Sequence, residues 1–177
     1  MLISREKRKT NIAEYILYMW QVEDTIRAFD FDIDRLDREL ISQYDQPDEV
    51  KREMRLWYEN IASHMKNENV VKSGHVRFIK NNIAELYSFH LSLLQDSAEP
   101  GYSEFYTGVL PIIREMNAKQ NWTSENEVET CLKAVYIYML MRLRKESVSP
   151  PTEEAINLFI KFLAILSSKF RACEEGK

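Results

Sequence analysis

Glycine and proline are scarce, with 4 and 5 in 177 residues, against about 12 and about 9 at average usage. Dense β-turns need both residue types, so a sandwich, a barrel or a repeat array of short strands is not the expected architecture. Collagen-like and low-complexity classes are excluded on the same ground. Cysteine is equally sparse. Cys131 stands in an apolar run and Cys173 in a polar tail. A pair in such different settings is no disulfide framework, and it fits a reducing, cytoplasmic compartment. Long hydrophobic runs are missing too. The longest, Ala134 to Met141 and Ala155 to Leu166, fall far short of the ~20 residues a membrane span needs, and Lys161 interrupts the second. Glu14 breaks the first apolar run after the basic N-terminus, so no signal peptide is read. Asn121-Trp122-Thr123 has the form of a glycosylation sequon, which carries no meaning in a cytosolic protein.

Net charge of one sign is also modest. The formal charge is −4 and the pI about 5.5, which disfavours a general nucleic-acid binder with its basic face. The local exception is Arg5, Lys7, Arg8 and Lys9. A cluster this short is read first as a solvated helix start, and binding to nucleic acid or an anionic surface is the minor alternative.

What the chain has in abundance is period-3.6 apolar patterning, with no sustained period-2 run against it. The first helix is expected over about Ser4 to Phe29. Its main stripe is Ile12, Tyr15, Met19, Val22, Ile26 and Phe29, and a second stripe of Ala13, Leu17 and Trp20 lies beside it. Asp30-Phe31-Asp32 breaks the pattern and can cap a second helix over about Ile33 to Tyr44. Gln46-Pro47-Asp48-Glu49 opens a third helix running to about Lys66. After a polar loop from Asn67 to Gly74, a fourth helix runs over about His75 to Gln95 with the stripe Ile79, Ile83, Leu86, His90 and Leu93. Pro111 falls inside the fifth, which is therefore expected to be kinked or split. Ser124 and Glu127 have capping-box spacing at the start of a sixth helix deep in the core. The seventh, about Glu153 to Ala172, is apolar nearly all round, and residues 172–177 are expected to fray. The sum is an all-α, single-domain bundle of about seven antiparallel helices over residues 1–177. A chain of this length buries roughly two thirds of its unfolded surface and needs no disulfide or metal to fold.

Reaction-centre motifs are absent from the pattern. Asp30-x-Asp32-x-Asp34 imitates a calcium loop, but the sixth and twelfth positions hold Arg35 and Ile41 instead of Gly and Glu. His64, His75 and His90 have no metal-ligand spacing. The four glycines are scattered, so no phosphate-cradling loop exists. Cys131, with Glu127 and Glu129 nearby, reads as core and not as a nucleophile. No cofactor, metal or catalytic residue is therefore assigned. Two features stand out against this background. His90 occupies a core position in an aliphatic stripe. Asp24 and Arg27 take positions where the Trp20 stripe would continue apolar, and their spacing allows a surface ion pair.

The run from Asn11 to Asp24, together with the Gln46-Pro47 helix start, resembles an uncharacterised domain-of-unknown-function family of Bacteroidetes proteins. The resemblance implies a small helical protein of bacterial cytoplasm, and it implies no activity, substrate or catalytic residue. The leading expectation is a non-enzymatic interaction or structural protein that self-associates as a homodimer through the last helix, with Phe159, Phe162, Leu166 and Phe170 as contact candidates. The alternative is a small-molecule-binding protein or enzyme with a pocket between the first and fourth helices, lined by Trp20, Asp24, Arg27 and His90.

Overall fold

A computed structural model describes residues 2–120, 122 and 124–176, with side chains from residue 6 onward within that range. The described residues are all-helical and contain no strand. The α-helices follow in the order α1 (Leu2–Thr10), α2 (Ile12–Ala28), α3 (Ile33–Glu39), α4 (Asp48–Asn67), α5 (Arg77–Gln95), α6 (Pro100–Gln120), α7 (Glu127–Leu143) and α8 (Pro150–Glu174), with a 3-10 turn at Ile41–Gln43. Asn121 and Thr123 of the sequon lie outside the described residues.

Several boundaries differ from the expected ones, each for a local reason. The long first helix is two, broken at Asn11. Thr10 and Asn11 are poor helix formers because their side chains compete for backbone hydrogen bonds. The second expected helix stops early and tightens into the 3-10 turn, where Ser42 Oγ donates to the Arg38 carbonyl at 2.5 Å. The expected split at Pro111 does not occur, and α6 is assigned without a break. Pro111 and Thr107 are both exposed, so water can reach the carbonyl that the missing proline N–H leaves unpaired. The cap of α7 sits two residues later than the Ser124 box. Asn126 accepts from the Glu129 N–H at 2.9 Å, and Glu129 in turn accepts from the Glu125 N–H at 2.7 Å. The Asp32 cap of α3 forms as expected, accepting from Arg35 N–H at 2.9 Å.

The contacts group the chain into two compact units. The first comprises the chain up to Lys9 and Glu14–Asn81, and the second Thr10–Ala13 and the chain from Asn82 onward. In the first unit, α2 buries Ile16, Met19, Trp20, Val22 and Ile26, while α4 buries Met54, Tyr58, Ile61 and Met65. The α4 set repeats at 3–4 spacing and forms one inward stripe, while the α2 set covers more than one side of its helix. In the second unit, α6, α7 and α8 pack on one another. α5 contributes the expected stripe, with Ile83, Leu86, His90 and Leu93 all buried. α7 is buried on more than one side, through Val128, Cys131, Leu132, Ala134, Val135 and Tyr136, as its single mid-helix charge implies. Ala13 N–H donates to the buried Ser167 hydroxyl at 3.3 Å.

Candidate functional site

Three of the residues singled out in the sequence, Trp20, Asp24 and Arg27, meet in the first unit, but as a clamp on a loop and not as the floor of a pocket. The ion pair forms, with Arg27 Nη1 at 2.8 Å from Asp24 Oδ1. The rest of the guanidinium is committed elsewhere. It donates to the carbonyls of Val70 at 3.0 Å, Val71 at 3.3 Å and Gly74 at 2.5 Å. One planar fork thus gathers three backbone acceptors of the Asn67–Val76 segment, a geometry that a lysine could not supply. Gly74, at φ +86, takes a left-handed conformation that L-residues rarely adopt.

Sequence reasoning missed the strongest member of this clamp. Glu23 is fully buried. Its carboxylate accepts from His75 Nδ1 at 2.5 Å and from the Val76 N–H at 2.8 Å, and the His75 ring stacks on Trp20 at 4.5 Å between centroids, 12° from parallel. A buried carboxylate requires such partners, because desolvation of an unpaired charge is far more costly than the pair is worth. The spacing offered a weak signal. Glu23 lies four residues after Met19 and three from both Trp20 and Ile26, which is the inward register of α2.

His90, the fourth candidate, belongs to the second unit, and its partners are there. Its ring is buried, with Nδ1 2.6 Å from the Tyr102 hydroxyl. Tyr106 and Phe162 meet it edge-on at 4.5 and 5.4 Å. Nε2 has no hydrogen-bond partner among the described residues. Burial pushes the imidazole down to about 4, with Glu127 opposing weakly, so the ring is neutral at physiological pH. Burial likewise pushes up the Tyr102 phenol and the Cys131 thiol, which leaves neither an anion nor a nucleophile in the cluster. The ring thus makes one hydrogen bond inside an aromatic core and leaves its second buried nitrogen open.

A cavity of about 410 Å³ opens in the first unit on the other side of α2 from the clamp's polar groups. α2 supplies Tyr18, Gln21, Val22 and Thr25. The segment after α3 supplies Leu40, Tyr44 and Gln46, and α4 supplies Val50, Glu53, Met54 and Tyr58. Tyr18 stacks on Trp57 at 6.2 Å, and Trp57 meets Tyr58 edge-on at 5.1 Å, so two of the wall's rings are braced from behind. Burial pushes the Tyr18 phenol up to about 12, with Tyr44 contributing, and pushes the Tyr58 phenol up further, with Tyr18 and Tyr44 contributing. The Tyr18 and Tyr58 hydroxyls therefore stay protonated at physiological pH. Thr25 Oγ1 already donates to the Gln21 carbonyl at 2.7 Å. A second depression, about 350 Å³ between α6 and α8, is rimmed by Glu115 and Lys119, which pair with each other at 2.5 Å.

The remaining expected contacts are placed as follows. Phe159, Phe162, Leu166 and Phe170 are buried within the chain itself, and the side of α8 left to solvent carries Asn157, Ile160, Lys161, Ala164 and Ser168. In the basic N-terminus, Lys7 pairs with Glu14 at 3.0 Å, and the Arg5 side chain lies outside the described residues. Among the described residues no three His, Cys, Asp or Glu side chains are grouped to hold a metal ion, and no helix is long and apolar enough to cross a membrane.

Each helical unit has its own buried polar cluster, and the first also holds the tyrosine-walled cavity. The chain belongs to the family described as a domain of unknown function, DUF4924, whose model matches residues 1–177. No curated protein and no solved structure matches it.

Proposed function

We propose that this protein is a small-molecule-binding module, non-enzymatic, whose site is the tyrosine-walled cavity of the first unit. The observation that supports this reading is the cavity itself. At about 410 Å³ it lies within the roughly 300–1,000 Å³ range of ligand pockets. Its wall combines aromatic and aliphatic surface with a few polar groups, which is the composition that gives binding its energy and its orientation. Among the described residues the wall holds one carboxylate, Glu53, and no histidine or cysteine, and the two buried histidine clusters lie outside it. Self-association through α8 is the less favoured reading, because the side chains that motivated it are covered within the chain. The unpaired Cys131 and Cys173 support a reducing, cytoplasmic setting in a bacterial cell.

The test uses the methyl resonance of Met54, which lines the cavity. Indole titrated into the labelled protein is expected to shift that signal saturably. Thr25→Phe, which places a ring in the cavity mouth, is expected to weaken the titration by at least about tenfold. Gln21→Trp repeats the test from a second wall position should the first variant fold poorly. Shifts confined to other methionines, or titrations indifferent to both folded variants, would remove the reading.

A further inference from the structure

We infer that the ligand of this cavity is a cation, of the alkylated-ammonium class. The inference rests on the binding reading above and adds the chemistry of what is bound. Three tyrosine rings, Tyr18, Tyr44 and Tyr58, share the wall. The face of each ring carries negative partial charge, and several such faces around one space make the aromatic cage that recognises quaternary ammonium groups. The only charged side chain in the wall is acidic, Glu53. No lysine or arginine lines the cavity, so an anionic ligand would find no counter-charge there.

The surrounding chain has the same sign. Between Tyr44 and Glu53, which together bound one side of the cavity, stand Asp45, Asp48 and Glu49 against Lys51 and Arg52. Lys51 Nζ is turned to the Ser42 carbonyl at 3.0 Å. Arg55, on the next turn of α4, is held by Asp34 at 2.6 Å and Asp37 at 3.2 Å. Lys51 and Arg55 are thus committed elsewhere, Arg52 stands exposed beside Glu53, and Glu53 is in no ion pair among the described residues. The braces described above matter here too. Trp57 touches the rings of both Tyr18 and Tyr58, which restrains two of the three rings and lowers the ordering cost of binding. Tyr44 is the most exposed of the three, at 42%.

Choline and its uncharged isostere 3,3-dimethyl-1-butanol separate charge from shape, read on the Met54 methyl with indole as a third probe. Choline is expected to bind about tenfold more tightly than the alcohol. Glu53→Gln, at an exposed position that should not disturb folding, is expected to weaken choline by about fivefold and leave the alcohol unchanged. Tyr44→Leu is expected to weaken choline more than the alcohol. If choline and the alcohol bind alike, or indole binds and choline does not, the cation inference is overturned and the binding module stands. If none of the three shifts Met54, the binding reading falls and takes the inference with it.

Discussion

The two units bury a histidine in opposite ways. In the first, His75 is half-buried, lies flat on Trp20 and gives its Nδ1 to the fully buried carboxylate of Glu23. In the second, His90 is wholly buried among rings, and its one polar partner is the uncharged hydroxyl of Tyr102. The first arrangement holds a loop to a helix, because the same carboxylate also binds the Val76 N–H. The second fills a core, and its Nδ1 bond joins α5 to α6. A buried carboxylate requires its partners in place. A neutral imidazole is a polar aromatic that tolerates one open nitrogen. The contrast predicts that the first cluster is sensitive to truncation and the second to acid.

The largest effect is expected at Glu23. Glu23→Ala leaves the Val76 N–H and His75 without their acceptor and opens a hole beside Trp20, which should lower stability by about 3–5 kcal/mol. Urea denaturation checks it. A loss under 1 kcal/mol would mean that the buried pair adds little and that the contrast between the units is only geometric. Arg27→Ala comes next, at about 2 kcal/mol, since three loop carbonyls lose a charged donor together. Amide exchange at Gly74 and Val76 should accelerate in both variants while that of α7 holds steady.

How much of this was legible beforehand differs sharply between the units. The second was read well, because its signals are local. The Ile79–Leu93 stripe placed His90 inside, and the near-uncharged run of α7 placed that helix in the core. The first unit was read poorly where its signals are long-range. Glu23 and His75 are 52 residues apart, and the inward register of Glu23, one turn from Met19, Trp20 and Ile26, does not name its partner. The cavity needs Tyr18, Tyr44 and Tyr58 to converge from α2, the turn and α4, and a periodicity argument sees only one helix at a time. Periodicity on α2 supplies the Asp24–Arg27 surface ion pair, which forms, but not the loop carbonyls that Arg27 also gathers. The break at Asn11 was hidden because the apolar register runs straight on from α2's first turn.

Acid should act on the second cluster. His90 titrates near 6.5 when unfolded and about 4 when folded, so between these values the unfolded chain binds more protons. Stability contributed by the neutral ring is complete above about pH 6.5 and is lost as the pH falls toward 4. Glu127, Tyr87, Tyr102, Tyr106 and Cys131 are the titratable groups around it, and only Glu127 favours the protonated ring. His90→Gln lowers stability at pH 7, yet its urea midpoint should fall less steeply than that of the parent from pH 6.5 to 4. Parallel slopes would show that the acid sensitivity originates elsewhere.

The smallest effect sharpens the first cluster from within. Asp24 is the partner that the sequence assigned to Arg27, but its side chain is 47% exposed while that of Arg27 is 16% exposed. An ion pair open to water on one side is worth only a few tenths of a kcal/mol, so Asp24→Ala should cost about 0.5 kcal/mol or less. Added salt should erase most of that. The prediction turns on where Arg27 would go. Without Asp24 the guanidinium still has the carbonyls of Val70, Val71 and Gly74, and these lie on the loop it closes. If Asp24→Ala instead costs as much as Arg27→Ala, the carboxylate is what aims the fork at the loop, and the ion pair belongs to the clamp's working core alongside Glu23.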